Sequence, residues 1–228
     1  MTLIKYIFAF IFISSIAFSA LPNDYFEQKY GSLSDKIIEE VMNDSLAWQR
    51  LAYMCDMFGP RLSGSDNLEN ALNWIESEFK KDNFANVNRE KVLVPNWRRN
   101  YEKCELIYPR IADIPILGLG GTIATPKEGI TGKVIVVKSF EELEEKKDAV
   151  KGKIVVFNQP FLNYGQSVQF RSQGAIRAAK LGAVASLIRS VSPNTSRNLH
   201  TGMMVYNDTV PKIPHAAISP EDAMRLER

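Results

Sequence analysis

Short apolar runs alternate with amphipathic segments through the second half of the chain. Ile154–Phe157 has the length and the β-branched composition of a buried strand, and residues 183–188 supply a second one. Between these runs, Ala175 and Ala178 give a helix a narrow face that can lie close to a sheet, and Gly182 can end it. This order of strand, helix and strand predicts an α/β fold.

The same alternation continues on both sides of this unit. Gly132 and Gly152 each open an apolar strand, and the charged segment between those strands, residues 141–150, is predicted to be a helix with a solvated face. A last strand is predicted at residues 213–218. Ser219 and Pro220 then have the residue types of an N-cap and a first helical position, so a helix is predicted to begin there.

Residues 32–109 have a different pattern. Apolar residues at helical spacing predict one helix over residues 47–58 and a second over residues 68–79, with Ser65 or Asp66 capping the second. Partial alternation predicts strands at residues 87–94 and 104–108. Two strands of this length leave sheet edges open, so we expect this block to need further strands from elsewhere.

The first 19 residues have the layout of a secretory signal peptide. Lys5 precedes an apolar run, and the small residues Ala17 and Ser19 place cleavage after Ser19. The alternative is a membrane anchor, but Ser14 and Ser15 interrupt the apolar run, which is short for a bilayer. We therefore expect no stable membrane span and expect the chain to enter the secretory pathway.

Charge, sequons and cysteines add three expectations. The net charge of +2 predicts no strong attraction to nucleic acid. Behind a signal peptide, the Asn-x-Ser/Thr sequons at Asn43, Asn194 and Asn207 are candidate glycosylation sites on surface loops. Cys55 and Cys104 can form one disulfide bridge or remain two buried thiols, and the sequence leaves both possibilities open.

The residues show no catalytic constellation. The glycine-rich segment 118–121 lacks the third glycine of a dinucleotide fingerprint, and Ser63 lacks the flanking glycines of a nucleophile elbow. A catalytic zinc site takes three protein ligands, and the only two histidines, His200 and His215, have no carboxylate three or four positions further on. A thiol nucleophile built from Cys104 and a distant histidine stays open. We expect no catalytic residue, metal ligand or cofactor-binding residue in this chain.

Many ungapped phrases, in the same order, resemble the zinc exopeptidases of the carboxypeptidase Q family. The most specific are residues 58–65 (FGPRLSGS), 116–120 (ILGLG), 125–131 (TPKEGIT), 152–160, 173–175, 185–190 and 210–214. The resemblance implies that residues 20–110 are the N-terminal part of a zinc-exopeptidase α/β domain. It also implies that residues 111–228 are a protease-associated α/β insert domain, truncated at its C-terminal end.

The resemblance carries functional expectations as well. It implies a secreted or lysosomal homodimeric enzyme, in which two zinc ions activate water against small unblocked peptides and a glutamate serves as general base. The family's zinc ligands begin in a His-x-Asp segment beyond the insert, and no position of this chain matches that segment. This chain is therefore expected to be an inactive N-terminal part that binds no zinc. The alternative is an autonomous secreted binding module without catalysis.

Overall fold

The computed structural model describes residues 23–193 and 196–228, so the predicted signal peptide and the sequon at Asn194 lie outside the described residues. The chain is an α/β protein, as predicted. Its described residues divide into two compact units. The first unit comprises residues 23–61 and Ser65–Lys91, and the second comprises Leu62–Gly64 and the described part of Val92–Arg228.

The first unit is helical. Its elements are α1 (Asn23–Asn43), α2 (Leu46–Phe58) and α3 (Asp66–Lys81). Helices α2 and α3 confirm the predictions, and the Ser65 side chain caps α3 by accepting a hydrogen bond from the Leu68 N–H at 3.2 Å. Helix α1 was not predicted. Within the described residues, no helix is long and apolar enough to cross a membrane.

Helices α2 and α3 contact each other through aromatic rings and ion pairs. The Trp74 ring centroid lies 5.1 Å from that of Tyr53 and 5.9 Å from that of Phe58. The Arg50 guanidinium bridges to Glu78 at 3.1 Å and to Asp82 at 2.6 Å. Ala71 is the one fully buried residue among those described in this unit, so its apolar side chains remain largely exposed.

The predicted strand at residues 87–94 is wrong. These residues are neither helical nor paired as a strand, and Val92 and Leu93 are exposed. The second predicted strand is shorter than expected: β1 (Glu105–Leu106) pairs antiparallel with β2 (Ala112–Asp113). Alternating side chains do not by themselves form a strand, because a strand also needs a neighbour to pair with its backbone.

The second unit is built on a five-stranded sheet. Strands β4 to β7 run parallel in the order β7, β6, β5, β4, and β3 pairs antiparallel with β7 at one edge. Helices pack on this sheet, with a short 3₁₀ turn at Lys147–Ala149. The elements are β3 (Ile116–Gly118), β4 (Val134–Val137), α4 (Phe140–Glu145), β5 (Ile154–Phe157), α5 (Tyr164–Lys180), β6 (Ala185–Arg189), β7 (His215–Ile218) and α6 (Pro220–Glu227).

Side-chain caps set the starts of the helices in this unit. Asn163 begins α5 by accepting from the Gln166 N–H at 2.9 Å. Ser219 caps α6 by accepting from the Asp222 N–H at 3.0 Å, with Pro220 at the first helical position, as predicted. Gly182 follows α5 with a φ of 83°, a backbone conformation that glycine adopts without strain.

Helix α5 approaches the sheet closely because of a glycine. A Cβ added at Gly174 would lie 2.9 Å from the Phe157 ring and 3.2 Å from Nε2 of His215. Phe157 also packs on Phe140 and Phe170, with ring centroids 5.7 Å apart in both pairs. A smaller cluster fills the other face of the sheet, formed by Ile114, Val156, Ile218 and Ala223.

Strand β4 forms one edge of the five-stranded sheet, opposite the edge formed by β3. Parallel pairing turns the Lys133 and Val137 carbonyl groups toward β5, so the backbone of Val136 points away from the sheet. There the Val136 oxygen accepts a hydrogen bond from Lys146 Nζ at 3.2 Å. Next along the edge, the Lys138 N–H donates to Glu142 at 2.6 Å. Two side chains, one from α4 and one from its C-terminal end, therefore occupy two of the outward-facing backbone groups of this edge.

The segment before β1 belongs to the second unit. Trp97 Nε1 donates to the Thr122 oxygen at 2.8 Å, and Arg99 donates to the Gly118 oxygen at 2.6 Å. Glu102 accepts from the Gly118 N–H at 2.8 Å. These bonds explain why the compact units divide near residue 91. The domain boundary at residue 110, which the resemblance implied, stays a prediction.

Candidate functional site

Three polar residues follow three neighbouring parallel strands. Asn158 comes directly after β5, Ser190 after β6 and Ser219 after β7, and all three are buried. The carboxyl ends of parallel strands meet at one edge of a sheet, where open α/β proteins bind their ligands. This edge is therefore the candidate site. The sequence prediction missed it, although a polar residue directly after each apolar run was a readable pattern.

Asn158 links two charged residues at this edge. Its amide nitrogen donates to Glu227 at 2.6 Å, and its amide oxygen accepts from Arg189 Nη1 at 3.2 Å. Glu227 also binds Lys138 at 2.5 Å, and this lysine holds the pKa of the Glu227 carboxyl below its usual value. The glutamate is thus paired with lysine, whereas Arg189 has, among the described residues, only the Asn158 amide oxygen as a hydrogen-bond partner.

Ser190 fixes the loop that follows β6. Its hydroxyl donates to the Ile218 oxygen at 2.8 Å and accepts from the His200 N–H at 2.9 Å. His200 therefore lies over the carboxyl ends of β6 and β7. Its ring centroid is 6.1 Å from that of Tyr164 in an edge-on arrangement. Burial, and then the positive charge of Arg171, lower the pKa of His200, so its ring is neutral at pH 7.

Arg171 lies on the second turn of α5 and is about nine-tenths buried. Its Nη2 donates to the Tyr164 hydroxyl at 2.8 Å, and its Nη1 reaches the Thr201 oxygen at 3.4 Å. The guanidinium fits because residue 202 is glycine: a Cβ there would lie 2.6 Å from Arg171 Cζ. The site thus contains a buried arginine held by neutral oxygen atoms.

A small cavity opens beside the start of α5. Its volume is about 10 Å³, and Ser167, Phe170, Arg189 and Ser190 are among the residues that line it. The Ser167 hydroxyl and the Arg189 Nε are both buried without a hydrogen-bond partner among the described residues. The cavity has room for roughly one water molecule.

A serine–histidine pair lies in the core and does not form a catalytic dyad. The Ser186 hydroxyl and Nδ1 of His215 are 2.8 Å apart, while Nε2 of His215 lies 3.2 Å from the Phe170 oxygen. Nδ1 also lies 3.2 Å from the Ser186 carbonyl oxygen, so each ring nitrogen faces a backbone carbonyl that can accept the single proton of the neutral ring. Ser186 and His215 are about 99% buried, so a substrate does not reach this pair. Burial lowers the pKa of His215 to about 4.

The two thiols differ from one of the two sequence alternatives. Cys55 and Cys104 are free, Cys55 is exposed, and Cys104 is half-buried. The expectation of two buried thiols is therefore wrong in this structure, because the apolar face of α2 that carries Cys55 is left uncovered. The two cysteines lie in different units, and a bridge between them stays a prediction. Burial, and then the charge of Asp222, raise the pKa of the Cys104 thiol. A nucleophilic thiol needs a lowered pKa, so Cys104 is unsuited to that role.

The residues present do not fit a zinc centre. Within residues 23–193 and 196–228, no three His, Cys, Asp or Glu side chains lie close enough together to hold a metal ion. Both ring nitrogens of His215 already have hydrogen-bond partners in the core. The structure therefore offers no ligand set through which zinc chemistry can be derived. That the chain binds no zinc stays a prediction.

Two of the three sequons fall within the described residues. Asn43 is the last residue of α1, and Asn207 lies in the loop before β7; both are exposed. The Asn207 side-chain oxygen accepts from the Thr209 N–H at 2.9 Å, which holds the sequon in a turn. Glycosylation at these positions stays a prediction.

Comparison with known proteins identifies the relatives of this chain. Carboxypeptidase Q from Homo sapiens is 50% identical over 182 residues, which cover 80% of this chain and 39% of that protein. The chain is related to the N-terminal part of carboxypeptidase Q. Carboxypeptidase Q from Xenopus laevis is also 50% identical over 182 residues, again 80% of this chain and 39% of that protein. The Pongo abelii protein is 46% identical over 202 residues, or 87% of this chain and 43% of that protein.

The chain spans about two fifths of the length of these carboxypeptidase Q relatives. A scan against models of known protein families gave no match. Among solved structures, a peptidase M28 precursor from Shewanella amazonensis superposes with a TM-score of 0.82 and 30% identity, covering 88% of this chain and 47% of that one. A zinc aminopeptidase from Bacillus subtilis, at a TM-score of 0.56 and 20% identity over 80% of this chain and 40% of that one, shares the fold.

Proposed function

We propose that the chain supplies the N-terminal part of a secreted or lysosomal zinc-dependent exopeptidase that hydrolyses small unblocked peptides. The observation that carries the proposal is the 50% identity to human carboxypeptidase Q over 182 residues. The likeness to a solved peptidase M28 precursor at a TM-score of 0.82 supports it. The relatives' names supply the reaction class, and the resemblance supplies the substrate class and the homodimer.

In this proposal the described residues have a structural role, and the catalytic chemistry belongs to residues of the enzyme outside them. Two zinc ions would activate the water for peptide hydrolysis, and their ligands would come from the remaining three fifths of the enzyme. Residues 20–110, which include the helices of the first unit, would be the opening part of the peptidase domain, and residues 111–228 would be its protease-associated insert. The 228-residue chain alone would then be inactive.

A fusion tests this proposal. The chain would be joined to the part of human carboxypeptidase Q that follows the aligned region, and dipeptide hydrolysis would be measured with added zinc and with a chelator. We expect chelator-sensitive hydrolysis by the fusion and none by either part alone. Hydrolysis by the 228-residue chain alone would contradict the proposal, as would a folded, zinc-loaded fusion that is inactive.

An autonomous secreted binding module is the second candidate. The observation that favours it is the second unit, which has apolar cores on both faces of its sheet and buried polar residues at the carboxyl ends of its strands. Hydrogen exchange on the secreted 228-residue chain separates the two candidates. Slow amide hydrogen exchange in α2 and α3 would favour the autonomous module. Fast exchange there would favour the enzyme part, because the first unit would then need the rest of the enzyme for its stability.

A further inference from the structure

Five lysines gather at the amino ends of the parallel strands, at the opposite end of the sheet from the candidate site. Lys133 directly precedes β4, and Lys153 directly precedes β5. Lys147 and Lys151 lie between α4 and β5, and Lys180 is the last residue of α5. The whole chain has a net charge of only +2, so this is a local concentration of positive charge.

Backbone hydrogen bonds fix three of these lysines next to one another. The Ile154 N–H donates to the Lys133 oxygen at 2.9 Å, which makes Lys133 and Lys153 neighbours on adjacent parallel strands. Their side chains therefore leave the same face of the sheet. The Val150 N–H donates to the Lys147 oxygen at 3.1 Å, and the Lys153 N–H donates to the Val150 oxygen at 3.0 Å. Lys147 is thus connected to Lys153 through two hydrogen bonds.

The turn before β6 brings the other two lysines to the same end of the sheet. The Gly152 N–H donates to the Gly182 oxygen at 2.8 Å, and a Cβ added at Gly182 would lie 3.3 Å from Lys151 Cγ. Lys180 comes two residues before Gly182. We call these five residues the lysine edge: Lys133, Lys147, Lys151, Lys153 and Lys180.

The ammonium groups of the lysine edge are not paired with carboxylates. None of the five has a carboxylate oxygen within 4.0 Å among the described residues, whereas Lys138, Lys146 and Lys212 do. Four of the five lysines are exposed, and Lys153 is half-buried. Their charges therefore face solvent and are free to meet an anion.

Carboxylates near the lysine edge reduce its charge without balancing it. Asp148 lies in the same turn as Lys147, and Glu144 and Glu145 end α4 just before it. Positive charge remains in excess when these three acidic residues are counted. Lysines held this close together repel one another, and an anionic partner would relieve that repulsion.

The residues around the lysines indicate the kind of anion. Residues 147–153 and 180–184 contain no aromatic residue and no exposed large apolar side chain. Single-stranded nucleic acids are bound with the help of aromatic side chains on which the bases stack, and membrane surfaces with the help of apolar side chains that insert. A row of lysines without either suits a polyanion whose charges point outward into solvent. The predicted signal peptide would bring the chain into the compartments that contain sulfated polysaccharides.

We propose that the lysine edge binds a sulfated polysaccharide, with several ammonium groups contacting successive sulfate groups of one chain. Lysine acts as a point charge on a flexible stem, so it adapts to sulfate groups at different spacings. Release of the counterions condensed on the polyanion would supply much of the affinity. The surface lies in the second unit, and its existence is independent of the peptidase proposal.

Heparin, a highly sulfated polysaccharide, is the probe for this surface. A labelled heparin oligosaccharide would be titrated with the 228-residue chain at salt concentrations between about 50 and 200 mM, and binding would be followed by fluorescence anisotropy. The comparison ligands are the same oligosaccharide without its sulfate groups, which keeps its carboxylates, and single-stranded DNA. We expect saturable binding of heparin that weakens with salt, and binding of both comparison ligands that is at least tenfold weaker.

Two results of this titration would overturn the proposal. One is the lack of saturable heparin binding by the folded chain at the lowest salt concentration. The other is equally tight binding of the desulfated oligosaccharide or of the DNA, because it would show an unspecific attraction to negative charge.

Matched double variants locate the surface. Lys147→Gln with Lys151→Gln removes two exposed charges of the lysine edge and should weaken heparin binding at least fivefold. It should also reduce the slope of log affinity against log salt concentration by about two. Lys36→Gln with Lys91→Gln removes the same charge from exposed positions of the first unit and should leave both quantities unchanged. Unchanged binding in the first variant, or an equal loss in both, would refute the assignment.

Discussion

Acidification should destabilise the second unit through one buried histidine. His215 is completely buried beneath α5, and burial lowers its pKa from 6.5 to about 4. In the unfolded chain the same ring regains a pKa near 6.5. Between these two pKa values the unfolded chain binds a proton that the folded chain does not. The contribution of neutral His215 to the free energy of unfolding is therefore fully present above pH 6.5 and is lost as the pH falls toward 4.

The size of the loss follows from the two pKa values. Between pH 7 and pH 5 the free energy of unfolding should fall by about 2 kcal/mol from this residue alone. The pH window also isolates the effect, because the paired carboxyls such as Glu142 and Glu227 have lowered pKa values and stay charged above pH 5. His200 adds a smaller loss of the same sign, since its pKa is also lowered.

Amide hydrogen exchange in β5, β6 and β7 gives the opening free energy of the second unit at each pH, once intrinsic rates are corrected. His215→Gln should be less stable than the natural chain at pH 7 but should lose little more between pH 7 and pH 5. His200→Gln is the control and should keep most of the pH dependence. If the natural chain and His215→Gln lose equal stability over this range, the reasoning from burial is wrong.

Three further predictions use other parts of the chain. Gly174→Ala should destabilise the second unit by about 1–3 kcal/mol in denaturant unfolding, because its Cβ would press on Phe157, while Gly165→Ala in the same helix should be nearly neutral. Equal effects of the two substitutions would show that α5 is free to shift. Expression in secretory cells should attach glycan to at least one of Asn43, Asn194 and Asn207, seen as a mobility shift on glycosidase treatment that the triple Asn→Gln variant loses. Metal analysis after dialysis should find no stoichiometric zinc in the 228-residue chain, and one retained zinc per chain would reveal a missed site.

The sequence correctly predicted those helices and strands that are determined by residues close together in the chain. Strand β5 lies at the predicted residues because four apolar residues between turn positions form a buried strand in most contexts. The start of α6 was correct because Ser219 and Pro220 act within one turn. The strand at residues 87–94 failed because pairing depends on a neighbour that spacing along the chain does not reveal. Helix α1 was missed because its apolar side chains gave no clear match to one buried face.

The grouping of Arg171, Arg189 and His200 at one end of the sheet was beyond sequence reasoning for a topological reason. Arg171 and Arg189 are 18 positions apart, and His200 is a further 11 positions away. Only the parallel order of β5, β6 and β7 brings the start of α5 and the loop after β6 to the same edge. That no carboxylate pairs with Arg171 among the described residues is equally a property of the fold, since acidic residues are plentiful in the sequence.

The covered edge at β4 has a consequence for concentrated solutions of this protein. An open parallel edge is a template on which a second molecule can add a strand, and repeated addition leads to aggregates. Lys146 and Glu142 occupy the Val136 oxygen and the Lys138 N–H, and they also pair with each other at 2.5 Å. A second strand must displace these two side chains before it can bond to the Val136 oxygen and the Lys138 N–H. The two side chains thus slow the addition of a strand at this edge, and high salt or neutralisation of Lys146 would weaken that protection.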